Sequence, residues 1–501
     1  MKKLFIIGFF TMFMQSILIS QSCLPDGILL SNQSDIDNFQ TNFPNCAEIE
    51  GPLLISGSGI NNLLGLLPLN SLGGDLSIWG NDSLVNLSGL DNITSIGGKL
   101  SLGTYDDGGN PSLNSLTGLE NLASISKTLE IYHNGSLTNL NGLNNLAFIG
   151  WELKIGFNNS LSSLTGLENI SSTVGMVRVT YNENLPNLIG LDNLDSIGGT
   201  LYIDHNNSLS SLIGLNKLEF IHGGLRIFRN PSLSNLNGLN NLFSTDYFDI
   251  YLMDSLTSLV GLENLTQTQQ FSISSNPLLR DFTGLNSLVK VVSAFSVYSN
   301  EALISFSGLD SLKEITGFFS IYENPVLTDI TSLQNLTSIG GSLRIYENNS
   351  LKSLRGLDNI NPESLWYDFT IINNDSLSIC EIQFVCDFLA NPTCPIEIHD
   401  NYFGCNDQFE IEEACKTVNI PYTNSTSDII IFPNPTNDDI FLSVPVKNNI
   451  KEIIIYNQMG IKVLSVQGYN ERISTSTLDK GIYTVEIITS EKEFRQKLII
   501  N

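Results

Sequence analysis

One dipeptide returns along most of the chain at nearly constant intervals. Gly-Leu occurs at Gly65, Gly89, Gly118, Gly142, Gly166, Gly190, Gly214, Gly238, Gly261, Gly284, Gly308 and Gly356, and Ser332-Leu333 fills the one missing beat. Successive beats lie 24 residues apart, apart from two steps of 23 and one of 29. A unit this short cannot bury its own apolar face, so such units must stack on one another as a solenoid. A solenoid presents a long, regular surface, which makes binding the expectation and catalysis the exception.

The interior of a unit says what kind of solenoid. Residues 149–167 read I-G-W-E-L-K-I-G-F-N-N-S-L-S-S-L-T-G-L, within a general pattern L-x-I-x-x-N-x-S-L-x-x-L-x-G-L-x-N-L-x-x-I-G-G. The L-x-I piece alternates and predicts a short strand with Leu and Ile inward. The remaining spacing is too irregular for an amphipathic helix, and Gly and Asn stand at fixed places in it. Extended segments joined by tight corners fit better. The pair Gly97-Gly98 recurs as Gly198-Gly199, Gly223-Gly224 and Gly340-Gly341, where glycine tolerates a corner backbone. The Asn after the strand is Asn81, Asn110, Asn134, Asn158, Asn182, Asn206, Asn230, Asn276, Asn300, Asn324, Asn348 and Asn374, with Met253 as the exception. Amides repeated in this way predict a ladder that satisfies backbone groups between turns. Some lie in glycosylation sequons, such as Asn134-Gly135-Ser136, but the repeat itself accounts for them. Stacking at about 4.8 Å per turn would make the rod on the order of 60 Å long. The long step inserts residues 104–108 as a bulging loop. Its Asp106-Asp107 pair lacks calcium-loop spacing and reads as a solvated turn.

Net charge is −27, which removes the basic footprint that nucleic acid requires. Residues 1–20 have the form of a secretory signal, with Lys2 and Lys3 before an apolar run from Leu4 to Ile19. Removing both lysines would take the charge from −27 to −29. The residues before Cys23 lack the leucine expected of a lipid-attachment site. No later stretch has the roughly 18 apolar residues of a membrane helix. The seven cysteines avoid the regular turns: Cys23 and Cys46 precede them, and Cys380, Cys386, Cys394, Cys405 and Cys415 follow. Disulfides at each end would seal the open termini of a solenoid in an oxidising compartment. The odd count leaves one cysteine over.

The repeat resembles the leucine-rich solenoids, and more closely the L domains of receptor ectodomains, over roughly residues 23 to 415. The resemblance implies a right-handed β-solenoid of about 13 turns, longer than a single receptor L domain. Its divisions are an N-terminal cap at 21–52, repeats at 53–379 and a cysteine-containing cap at 380–415. The segments L-S-I-C from Leu377 and E-I-H-D-N from Glu397 look like the cysteine cap of bacterial surface proteins of this kind. That likeness implies that Cys380, Cys386, Cys405 and Cys415 pair among themselves and that Cys394 is the extra one. The order of pairing stays open.

Residues 416–428 are polar and read as a linker. Residues 429–501 then alternate in apolar character at 429–432, 440–444, 452–456, 481–487 and 497–500, which predicts a small β-sandwich. This segment resembles the C-terminal sorting domain of the type IX secretion system. The matching pieces are F-P-N-P-T-N from Phe432, I-Y-N-Q-M-G from Ile455, L-D-K-G-I-Y from Leu478 and K-L-I-I-N from Lys497. The resemblance implies the secretion machinery as partner, and release or surface attachment at a Gram-negative-type envelope.

Catalytic signatures are missing. There is no G-x-S-x-G, H-E-x-x-H or phosphate loop, and His133 and His205, which share a repeat position, stand three turns apart. No metal or cofactor is expected. The outward strand positions are more informative. Directly after the inward Ile comes a column of Trp79, Tyr132, Phe228, Tyr251, Tyr298, Tyr322 and Tyr346. Such rings can stack sugars or pack a protein partner, or simply pair across strands. Two residues earlier stand Lys154, Arg178, Tyr202 and Arg226, with Arg344 further on. They could meet an anionic glycan or carboxylate, or pair with Glu130, Asp204 and Asp249. The expectation is an exported, non-enzymatic adhesion or recognition protein for polysaccharide or extracellular protein. A structural surface or matrix component and a carbohydrate-active accessory protein are the alternatives.

Overall fold

The computed structural model describes residues 21–106, 108–418, 430–432, 436, 439–443, 450–457, 461–470, 472–489 and 493–500. The expected leader, Asp107 and most of the expected linker lie outside the described residues. The chain divides into two compact units, one ending at Val418 and one beginning at Asn419.

The first unit is a parallel β-solenoid of about 16 turns. Its long sheet starts with Ile28–Leu30 and Leu53–Ile55, continues through strands such as Leu129–Tyr132, Leu153–Gly156 and Leu343–Tyr346, and ends with Ile396–His399. The count exceeds the expected thirteen because both caps add strands where the Gly-Leu beat is missing. Ile28 pairs with Leu53 and Phe369 with Ile396, in the register of the regular turns. A second parallel sheet uses two-residue strands such as Ser95–Ile96 and Ser196–Ile197. Between Phe220 and Tyr298 the two strands of each turn fuse into single strands of eight or nine residues. The shortened units account for part of this. Ile221 pairs with Thr245 but Gly224 with Tyr247, so the missing residue has been lost from the corner between the sheets.

Each turn fills its own cross-section. In one, Leu153, Ile155, Leu161, Leu164, Leu167 and Ile170 are all completely buried, each at ~1.5–3 kcal/mol of burial. The Gly-Leu beat has a double cause. Gly166 has φ +119°, and a Cβ there would fall 2.1 Å from the Leu140 carbonyl oxygen of the turn before. Ser332 escapes the demand for positive φ, because its turn is wound as a 3-10 helix, Thr331–Asn335.

The amide ladder runs as the repeat predicts. Asn158 Nδ2 donates to the Ile131 and Gly156 carbonyls at 2.9 Å each, and its backbone N–H donates to Asn182 Oδ1 at 3.3 Å. The ladder goes one rung beyond the sequence pattern, from Asn374 to Asn401 in the cap. At Met253 the chain of amides is interrupted, and Met253 N–H resumes it on Asn276.

At the start, Ile36 and Phe39 of two short helices, Gln33–Asp37 and Phe39–Asn42, are buried. Cys23 bonds Cys46. At the far end Cys380 bonds Cys405 and Cys386 bonds Cys415, leaving Cys394 free. The last helix, Gln408–Val418, continues past the point where the linker was expected to begin.

The C-terminal unit has two antiparallel sheets. Ile430–Phe432, Asp439–Ser443 and Arg472–Ser474 form one, and Lys462–Gln467, Ile450–Asn457, Gly481–Thr489 and Glu493–Ile500 the other. Ile431, Ile440 and Ile473 from the first share a core with Ile453, Val485 and Leu498 from the second.

Candidate functional site

Parallel pairing in register places every outward strand residue directly beside its counterpart in the next turn, so columns follow from the fold. Tyr298, Tyr322 and Tyr346 form a stack with ring centroids 4.7 and 4.6 Å apart and planes within 4° and 9° of parallel. Each ring thereby covers a face of the next. Desolvation, helped by the two flanking tyrosines, pushes the Tyr322 phenol up to about 12. Phe228 and Tyr251 stack in the same way at 4.6 Å. Trp79 is half-buried and separate from both groups.

Tyr132 does not stand outward as the column pattern predicts. It is only 3% exposed. Its ring lies over Gly156, where a Cβ would come within 2.5 Å of Cε1. Tyr105 of the inserted loop covers it edge-on at 5.7 Å. Glycine next door made room, and the loop closed the lid; burial pushes the phenol far up.

Every cation of the second column meets a carboxylate. Lys154 lies 2.7 Å from Glu152 and 3.6 Å from Glu130. Arg178 lies 3.7 Å from Asp204, and Arg226 2.9 Å from Asp249. Arg178 and Arg226 also flank the Tyr202 ring, 5.5 and 5.6 Å from its centroid. Arg344 grips Asp368 with Nε and Nη2 at 2.8 and 2.7 Å, which holds that carboxyl below its ordinary range. Asp204 is buried and accepts from Thr180 Oγ1 at 2.5 Å and pairs with His205 Nδ1 at 3.0 Å.

One column escaped the sequence reading. His133, Phe157, Tyr181 and His205 stack at 4.5, 4.5 and 4.2 Å, so the two histidines are bridged by two rings. All four occupy left-handed backbone, φ +51° to +56°. Each immediately precedes a ladder Asn, and that position was the available signal.

The other side of the rod differs. Around the second sheet and its corners, Phe148, Trp151, Val174, Phe220, Phe243 and Tyr247 are exposed. A shallow groove of about 340 Å³ lies among Glu219, Phe220, Asn241, Phe243 and Asn264. A second, of about 620 Å³, borders Arg344, Asp368, Thr370, Pro395, Ile396 and Glu397 near the C-terminal cap. Its main charges are closed on each other, and burial pushes up the nearby Cys394 thiol, away from the reactive thiolate. Among the described residues no group of three or more His, Cys, Asp and Glu could hold a metal ion, and no helix is long and apolar enough to cross a membrane.

Residues 430–501 match the family described as the secretion system C-terminal sorting domain. No curated protein matches the chain. The two-sheet unit at the C-terminus is therefore a type IX secretion sorting domain, and the solenoid joined to it is part of an exported protein.

Proposed function

We propose that this is a non-catalytic recognition or adhesion protein that works at the outer cell surface or after release, binding polysaccharide or extracellular protein through its solenoid. One observation carries the reading. The rod satisfies its core and its backbone internally, yet it holds large aromatic side chains at the surface, from Trp151 and Phe243 to the half-buried Tyr298, Tyr322 and Tyr346. Exposed aromatics gathered on a soluble protein usually mark contact sites. The tyrosine stack offers ring edges and a row of hydroxyls rather than open ring faces. A ligand using it would hydrogen-bond along the rod.

The test is binding of the full chain to a glycan array and to immobilised matrix proteins, beside the triple variant Tyr298→Ala, Tyr322→Ala and Tyr346→Ala. A ligand lost in the variant supports this face. A folded variant that binds as well as the parent removes the tyrosine row from the reading. The paired cations favour a second reading, a structural surface or matrix component. It predicts no saturable ligand in either panel.

A further inference from the structure

The groove at the corner before the second sheet has a composition unlike the rest of the surface. Phe220 and Phe243 come from adjacent turns and are 38% and 46% exposed. Their centroids are 6.3 Å apart and their planes meet at 65°. An edge-to-face pair leaves more ring face open than the parallel tyrosine stack, although His222 lies nearly parallel to Phe220 with centroids 6.4 Å apart. Beside them stand Asn241 and Asn264. Their Nδ2 groups are committed to the Asn216 and Asn240 carbonyls, both at 2.7 Å. That fixes each amide, with its Oδ1 available as an acceptor and its second N–H as a donor. Glu219 adds a carboxylate. Among the described residues no group donates to either Oδ1 or to this carboxylate. The neighbouring Lys217 is engaged elsewhere, on Asn193 Oδ1 at 2.6 Å.

The groove therefore offers two aromatic rings, a carboxylate and two amides that each present both an acceptor and a donor. A pyranose fits both parts: a C–H face for an aromatic ring, and hydroxyls that donate to and accept from the amides around its edge. An anionic sugar would meet Glu219 on a protein of net charge −27. From this we infer that the groove formed by Glu219, Phe220, Asn241, Phe243 and Asn264 is a binding site for a neutral saccharide chain. The inference rests on the recognition reading above and gives it a location off the long sheet.

The test is calorimetric titration of the full chain with laminarihexaose, cellohexaose, chitohexaose, mannohexaose and hexagalacturonate. The variants are Phe220→Ala with Phe243→Ala, Glu219→Gln, and the tyrosine triple variant. Circular dichroism and thermal melting check each fold, and the exposed rings should leave the melting point nearly unchanged. The site predicts binding of a neutral hexasaccharide, weakened on the order of tenfold or more without the two rings. Glu219→Gln should weaken it less, and the tyrosine variant should leave it unchanged. Failure of every hexasaccharide to bind overturns the site, as does binding indifferent to Phe220 and Phe243. Preference for hexagalacturonate overturns the neutral class. Loss of saccharide binding only in the tyrosine variant overturns the groove but leaves the recognition reading standing.

Discussion

The two sides of the solenoid are built from the same repeat and end in opposite chemical states. On the long sheet, register brings like beside like, and most side chains find a partner in the next turn, though Arg178 Nε and Asp204 Oδ1 make no hydrogen bond. Tyrosines cover tyrosines, Arg226 finds Asp249, and Tyr132 sinks beneath Tyr105. At the second sheet the strands are only two residues long over much of the rod, glycine corners separate them, and bulky residues form no continuous column. Phe148, Trp151 and Phe243 consequently stay exposed. Regularity thus consumes surface chemistry on one face, and irregularity leaves it available on the other.

If that contrast is right, substitutions on or beneath the long sheet should cost stability, and those on the second side should not. The largest effect is expected at the ladder. Asn182→Ala removes the acceptor of Asn158 N–H and the donor to the Ile155 and Thr180 carbonyls. Each buried orphan costs about 1–3 kcal/mol, so denaturant unfolding should show a loss of about 3 kcal/mol or more. Asp204→Ala comes next. It strips Arg178, Thr180 and His205 of a buried partner and should cost about 2 kcal/mol. Tyr322→Ala, which removes two stacks, should cost about 1–2 kcal/mol. Phe148→Ser or Trp151→Ser should stay within about 0.5 kcal/mol. A loss at Trp151 equal to that at Asp204 would erase the contrast.

Alkaline pH examines the same stack without truncating it. The Tyr322 phenol is held up to about 12 in the fold by burial and by its neighbours, whereas an unfolded tyrosine ionises near pH 10. A raised folded value means that the folded state holds the proton more tightly. Its stabilisation is complete below pH 10 and is lost as pH rises from 10 towards 12. Tyr322→Phe cannot ionise, so its stability should gain on the parent across that window, measured by urea unfolding at both ends. No relative change would mean that the ring is solvated and the stack open.

Legibility in the sequence followed periodicity. The Gly-Leu beat and the Asn column predicted the solenoid because each answers a backbone need that recurs in every turn. The turn count fell short because Ile28–Leu30, Phe369–Ile372 and Ile396–His399 pair without carrying the beat. In the sorting domain, Lys462–Gln467 was missed: its side chains alternate only between exposed and half-buried, with no fully buried face. Glu130, Asp204 and Asp249 were legible as partners of Lys154, Arg178 and Arg226, since register makes neighbours of residues about one repeat apart; Glu152, the nearest carboxylate to Lys154, was not. The corner groove was not. Phe220 and Phe243 occupy different places within their units, so no column of the repeat displays them together; only the fold does.

The most direct test of the account is saturation binding of the full chain to polysaccharides and matrix proteins at low and at moderate salt. Because the cations of the long sheet are matched to carboxylates, recognition should be saturable on at least one surface and change little with salt. Absence of saturable binding, or binding abolished by moderate salt, would contradict it.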